Sequence, residues 1–132
     1  MGVTYLLDTH VFLWLLGAPS RVPVDVRDAL GNRRNELLVS AVSAMEVSTK
    51  LRLGKLASAR HLVATWHDRV ADIGGLDLPL TAQQALLAGS MDWSHRDPFY
   101  RMLVAQALTL NVTLVTDDAA MRGIPTLRLL RC

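Results

Sequence analysis

The feature that most constrains this chain is a series of short apolar runs that stop at a polar or acidic residue and pass at once into a helical pattern. The first run, Val3 to Leu7, lacks the polar alternation of a strand with one wet face and ends at Asp8. A continuous run of that length reads as a strand buried on both faces, the mark of a parallel sheet covered by helices. Leu37 to Val39 and Val112 to Val115 are further strand candidates of this kind, and Leu76 to Leu80 and Thr126 to Leu130 read as two more short strands. Between them lie helical segments with start and stop signals. The first is capped by Thr9 or Asp8 and runs to Gly17 and Pro19, and the second spans Pro23 to Leu30. A third, capped by Ser40 or Ser43, carries Ala44, Met45, Val47 and Leu51 and ends near Leu53. Ala57 to Ile73 reads as one helix broken by Gly74 and Gly75, and Thr81 caps Ala82 to Leu87. Asp97 and Pro98 open the last helix, which runs to Leu110. The alternation predicts an α/β fold, a three-layer sandwich with a mostly parallel central sheet of about four to five strands flanked by helices. With 132 residues, a single domain over 1–132 is expected.

Composition narrows the chemistry. A hydrophobic fraction of 51% excludes disorder as the main state and suggests apolar surface hidden in an oligomer or against a partner. A net charge of +2 carries no electrostatic signature of nucleic-acid binding. Cys132 is the only cysteine, so neither a disulfide framework nor a cysteine zinc site is available. No apolar run approaches the roughly 18 residues of a membrane span, and a soluble cytoplasmic protein is expected.

The acids fall where parallel sheets place chemistry. Asp8 follows the first strand, and Asp117 and Asp118 follow the Val112 to Val115 strand, so both groups face the rim beyond the strands' carboxyl ends. Glu46, in an otherwise small and apolar helical stretch, and Asp97, at a helix start, converge on that rim from the covering elements. Each has a structural alternative. Asp8 and Asp97 suit helix N-caps, and for Asp97 alone the cap is the simpler reading. One of Asp117 and Asp118 caps the turn at Ala119 to Arg122, and Glu46 shares a side with Ser43 and Lys50 that solvent can cover. If three or four carboxylates meet, their repulsion demands a positive charge between them. Hard oxygen ligands suit Mg²⁺ or Mn²⁺, which would activate water against a phosphodiester.

Taken together, Tyr5-Leu6-Leu7-Asp8-Thr9-His10, the stretch Ser40 to Lys50, His95-Arg96-Asp97-Pro98-Phe99 with Ala105-Gln106-Ala107, and Leu114-Val115-Thr116-Asp117-Asp118 resemble a PIN domain, and more narrowly a VapC toxin of a type II toxin–antitoxin pair. The likeness spans nearly the whole chain in motif order. It implies a Mg²⁺- or Mn²⁺-dependent endoribonuclease, usually a homodimer, neutralised by a cognate antitoxin. Carried over, the acidic catalytic residues fall on Asp8, Glu46, Asp97 and Asp118, with Asp8, Asp97 and Asp118 as metal ligands, and Thr116 takes the hydroxyl position of the Thr-x-Asp motif. Close relatives read Asp-Pro-Phe-Asp-Arg, so Tyr100 stands where the pattern has its second aspartate. Either Asp97, one helical turn earlier, takes over that acid's role, or Tyr100 closes the pocket and leaves an antitoxin-binding and dimerisation module.

His95, Arg96 and Arg101 flank the third acid and are candidate phosphate contacts, with ordinary loop and helix roles weighing equally. Lys50, Arg52 and Lys55 read as a solvated helix end. Trp93 suits base stacking or, preferred, cover for the core. His10 is open to a metal-ligand or general-base role, but a first-turn position pointing away from the rim carries at least equal weight. Phe12, Leu13 and Trp14 put apolar bulk around the first helix, as a partner surface or two-sided burial requires. A phospho-aspartate receiver or an aspartate-nucleophile phosphatase is disfavoured, because Asp8-Thr9-His10 lacks the second acid of Asp-x-Asp and the C-terminal stretch lacks the receiver's lysine.

Overall fold

The structure, a computed structural model, describes residues 2–132. In chain order it comprises β1 (Thr4–Leu7), α1 (Thr9–Gly17), a 3-10 turn at Pro19–Arg21, α2 (Val24–Gly31), β2 (Glu36–Ser40) and α3 (Ala41–Arg52). A 3-10 turn at Ala57–Ala59, α4 (Arg60–Ala64), α5 (Trp66–Asp72), β3 (Gly75–Leu78), α6 (Ala82–Ser90) and α7 (Pro98–Leu110) follow. The chain closes with β4 (Thr113–Thr116), a 3-10 turn at Ala119–Met121 and β5 (Arg128–Arg131).

The five strands form one sheet in the order β3-β2-β1-β4-β5, and every pairing is parallel. Alternate residues of each strand feed opposite faces, as the two-residue period requires. Leu6, Leu38 and Leu114 pack with Val42 of α3 and Leu103, Val104 and Ala107 of α7. Tyr5, Leu7, Leu37, Val39 and Val115 pack with Val11, Phe12, Val26, Leu30 and Val70 from α1, α2 and α5. Two cores on either side of one sheet give the expected three-layer α/β sandwich. Trp93 packs against the α7-side core, the preferred reading of that residue, and Trp14, Leu15 and Leu16 pack against the other.

Helix starts follow their capping chemistry. The Ser40 hydroxyl accepts from the Val42 amide at 2.9 Å, which resolves the choice between Ser40 and Ser43. Thr81 and Gln84 form a reciprocal capping box on α6. The segment 57–73 departs from the expected single helix, being a 3-10 turn and two short helices that meet at Thr65. Thr65 leaves helical geometry at φ −124°, and its hydroxyl donates to the His61 carbonyl at 2.8 Å. The break lies in the Thr65 backbone and not in this bond, since Thr109 makes the same bond to the Ala105 carbonyl within the unbroken α7. The other differences are boundaries: β3 stops before Pro79, and β5 begins only after Thr126, which adopts φ +65°.

Strand order reverses beside β1, with β2 and β3 to one side and β4 and β5 to the other. The crevice at such a switch point is where open parallel sheets bind ligands. The Asp8 amide donates to the Val115 carbonyl at 2.9 Å, which fixes the exits of β1 and β4 side by side.

Candidate functional site

Asp8 occupies the N-cap position of α1, yet its side chain makes no capping bond. The residue is 1% exposed. Its Oδ2 accepts from the Thr116 hydroxyl at 2.6 Å, while Oδ1 is buried without a hydrogen-bond partner. Burial holds the carboxyl up at about 6; the Thr116 hydrogen bond and His10 oppose that rise, and Glu46 and Asp117 add to it. The same Thr116 oxygen accepts from the Asp118 amide at 3.1 Å. One hydroxyl thus joins the end of β1 to the turn after β4, which is the physical content of the Thr-x-Asp motif.

Glu46 lies on α3, buried at 3% exposure and supplied with partners. The Thr9 hydroxyl donates to its Oε1 at 2.8 Å, and the Lys50 ammonium, one turn on, pairs with Oε2 at the pocket's edge. The Ser43 hydroxyl lies 2.8 Å from Thr9 Oγ1 and completes the chain. The alternative of a solvated Ser43–Glu46–Lys50 face is therefore corrected: Ser43 and Glu46 are interior, and a cation with a hydroxyl satisfies the buried acid.

The opposite wall is built differently. Asp97 accepts from the Phe99 amide at 2.9 Å and caps α7. Asp118 accepts from the Ala120 amide at 2.8 Å and caps the following turn, with its other oxygen 3.9 Å from His95 Nε2. His95 Nδ1 accepts from the Asp97 amide, so a neutral ring carries its proton on Nε2. The Arg101 guanidinium donates to the carbonyls of Ala88, Met91, Trp93 and His95 at 2.6–3.0 Å. Its hydrogen-bonding capacity goes to the loop between α6 and α7, whereas Arg96 stands exposed on that loop.

Tyr100 reaches into the pocket. Burial, followed by the charges of Asp8, Asp118, Glu46 and Asp117, pushes its phenol well above its ordinary value, so the hydroxyl keeps its proton. It lies 3.5 Å from His10 Nδ1. His10 does not point away from the rim: ligand atoms of Asp8, His10 and Asp117 lie within 4.8 Å of one another, the one such grouping among the described residues. The structure thus brings together Asp8, His10 and Asp117, leaves Asp97 and Asp118 as caps at the border, and seats Glu46 behind. His10 and Asp117 gained little weight from the sequence; their only signal was adjacency to the two strand exits.

A buried carboxylate with one oxygen lacking a donor, close to a second carboxylate, fits a divalent cation bound through oxygen. Beside it lies a groove lined by Thr9, His10, Leu13, Lys50, Lys55 and Leu56, in which the Lys50 ammonium is paired with Glu46. Among the described residues, no helix is long and apolar enough to cross a membrane.

The family model described as PIN domain matches residues 5–127. Among solved structures, VapBC2 from Rickettsia felis bound to a DNA fragment from its promoter superposes with a TM-score of 0.69 at 16% identity, covering 98% of each chain. VapBC-1 from nontypeable Haemophilus influenzae gives 0.68 at 16%, again over 98% of each. VapBC-5 from Mycobacterium tuberculosis, a member of the VapBC family of toxin–antitoxin systems, gives 0.62 at 18%, over 98% of this chain and 99% of that one. No curated protein matches the sequence significantly.

Proposed function

The chain belongs to the PIN domain family, and from that premise we propose that it is a Mg²⁺- or Mn²⁺-dependent endoribonuclease toxin of the VapC type, restrained by a cognate antitoxin. The observation that carries this reading is Asp8, an acid at a helix N-cap position that neither caps nor meets solvent and keeps one oxygen free. Similarity to solved toxin–antitoxin complexes supports the antitoxin as partner. A homodimer in the cytoplasm belongs to the same reading.

Asp8 with the aspartates after β4, Asp117 and Asp118, would hold the cation, with Asp97 at the border of the pocket. When bound, the ion supplies Lewis acidity at the phosphodiester and a lowered pKa for the attacking water. Thr116 keeps Asp8 oriented and the Asp118 backbone in place, a positioning role instead of a substrate contact. Glu46 holds the first turn of α1 through Thr9 and adds negative charge behind the site. Arg101 shapes the loop that presents His95 and Arg96 to the RNA backbone, and the Lys50–Lys55 groove extends the phosphate path.

The test is cleavage of single-stranded and structured RNA by antitoxin-free protein with Mn²⁺ or Mg²⁺, beside Asp8→Asn. Metal-dependent cutting that falls more than about 100-fold in the variant is expected, since even outer-shell partners of a metal carry 10–100-fold. Unchanged cutting by Asp8→Asn would sink the assignment. A second reading has its own observation, the Tyr100 phenol set among the carboxylates: a closed pocket that leaves an antitoxin-binding module. In that case the wild type cuts no RNA and Tyr100→Asp gains activity.

A further inference from the structure

The nuclease reading leaves His10 without a role. As the second residue of α1, directly after the turn that carries Asp8, it is placed over the crevice between β1 and β4. One of its ring nitrogens lies within 4.8 Å of carboxylate oxygens of Asp8 and Asp117, and those oxygens are equally close to each other. The ring is held in place. It stacks on Trp14, one turn along the helix, at 6.2 Å between centroids and 30° between planes, and its Nδ1 lies 3.5 Å from the Tyr100 hydroxyl. Independently of this grouping, Asp8 is 1% exposed and its Oδ1 has no donor. Two carboxylates and an imidazole within reach of one another, with a buried oxygen unsatisfied, form a ligand set suited to a divalent cation.

We propose that His10 is a metal ligand of this site, forming with Asp8 and Asp117 a mixed nitrogen and oxygen set that selects imidazole-binding divalent ions such as Co²⁺ or Zn²⁺ over Mg²⁺. The proposal deepens the nuclease reading and rests on it. Mg²⁺ takes oxygen ligands in near-ideal octahedra and gains little from an imidazole, whereas the later divalent metals bind imidazole well. Tyr100 sharpens the bias. Where the resemblance expects an aspartate, a protonated phenol supplies neither a charge nor a strong oxygen ligand, so the nitrogen of His10 makes up the ligand count without restoring the charge. With the ring proton on Nδ1, the phenol oxygen 3.5 Å away is placed to accept it, which leaves Nε2 with its lone pair for the metal and keeps the ring in one orientation.

Calorimetric titration of the full chain with Co²⁺ and with Mg²⁺, on wild type, His10→Ala and Asp8→Asn, tests this. His10→Ala is expected to weaken Co²⁺ by about 10-fold or more and Mg²⁺ by less than about 2-fold, so the ratio of affinities narrows. Equal weakening of both ions, or no change in either, overturns the proposal. Pulsed electron paramagnetic resonance of Mn²⁺-loaded wild type needs no variant. Nitrogen modulation from a directly bound imidazole, lost in Asp8→Asn, is expected. Stoichiometric Mn²⁺ binding without that modulation overturns the nitrogen ligand and leaves the acidic nuclease site standing. Binding of neither Co²⁺ nor Mn²⁺ overturns both.

Discussion

The two walls of the pocket use the same local device to opposite ends. On the wall of β4 and α7, Asp97 and Asp118 stand at N-cap positions and spend an oxygen on the backbone amides of Phe99 and Ala120. On the wall of β1 and α3, Asp8 stands at an N-cap position, and its carboxylate gives the helix nothing. A half-exposed acid that caps explains its own presence, since a cap contributes about 1 kcal/mol. A buried acid that forgoes the cap is a cost to the fold, and its partners must be sought in what binds there. Position in the chain therefore does not separate the three aspartates, and where each carboxylate is spent does.

The comparison is broken most directly through pH. The folded Asp8 carboxyl titrates at about 6 against an ordinary 3.8. Between those values the folded chain binds the proton more tightly than the unfolded chain, so the contribution to stability is fully present below about 3.8 and falls as pH rises through about 6. About two units correspond to roughly 3 kcal/mol. Metal-free protein should lose on that order between pH 4 and 7 relative to Asp8→Asn in denaturant melts, making the variant the more stable protein at neutral pH. Parallel pH profiles for the two proteins would refute the idea that Asp8 burdens the fold.

A smaller effect is expected from Thr116→Val, which removes the donor to Asp8 and the acceptor for the Asp118 amide. Hydrogen bonds to charged groups carry about 1.5–3 kcal/mol, so a loss of roughly 2 kcal/mol in chemical denaturation is expected. A change below about 0.5 kcal/mol would mean that the two walls are not joined through this hydroxyl. The smallest effect falls on the capping wall. Asp97→Ala should cost about 1 kcal/mol and Asp97→Asn almost nothing, because asparagine caps as well as aspartate does. Measured beside RNA cleavage, Asp97→Asn separates the two roles: unchanged stability with abolished cleavage would show a metal-binding acid, and the walls would then differ less than their hydrogen bonds imply.

Much of the architecture was legible because buried parallel strands leave continuous apolar runs that end where the chain turns. The runs ending at Leu7 and Val115 placed the two central exits, and with them Asp8, Asp117 and Asp118. Glu46 was legible as an acid out of place among Ala44, Met45 and Val47. The break at Thr65 was not, since apolar periodicity continues across it and only the backbone angles of Thr65 reveal it. The direction of His10 was hidden for a related reason: one residue in a first turn has no periodicity to read, and its orientation is set by Trp14 and Tyr100, the latter 90 positions away.

Arg101 has a consequence beyond the phosphate path. A guanidinium that gathers the carbonyls of residues 88, 91, 93 and 95 closes a polar, irregular stretch onto the side of α7. The entropy of ordering that stretch is then lost once, during folding, and not again at each encounter with a ligand. A loop without regular structure should accordingly exchange its amide hydrogens in step with the helix it is fastened to, and meet its ligands as a rigid rim.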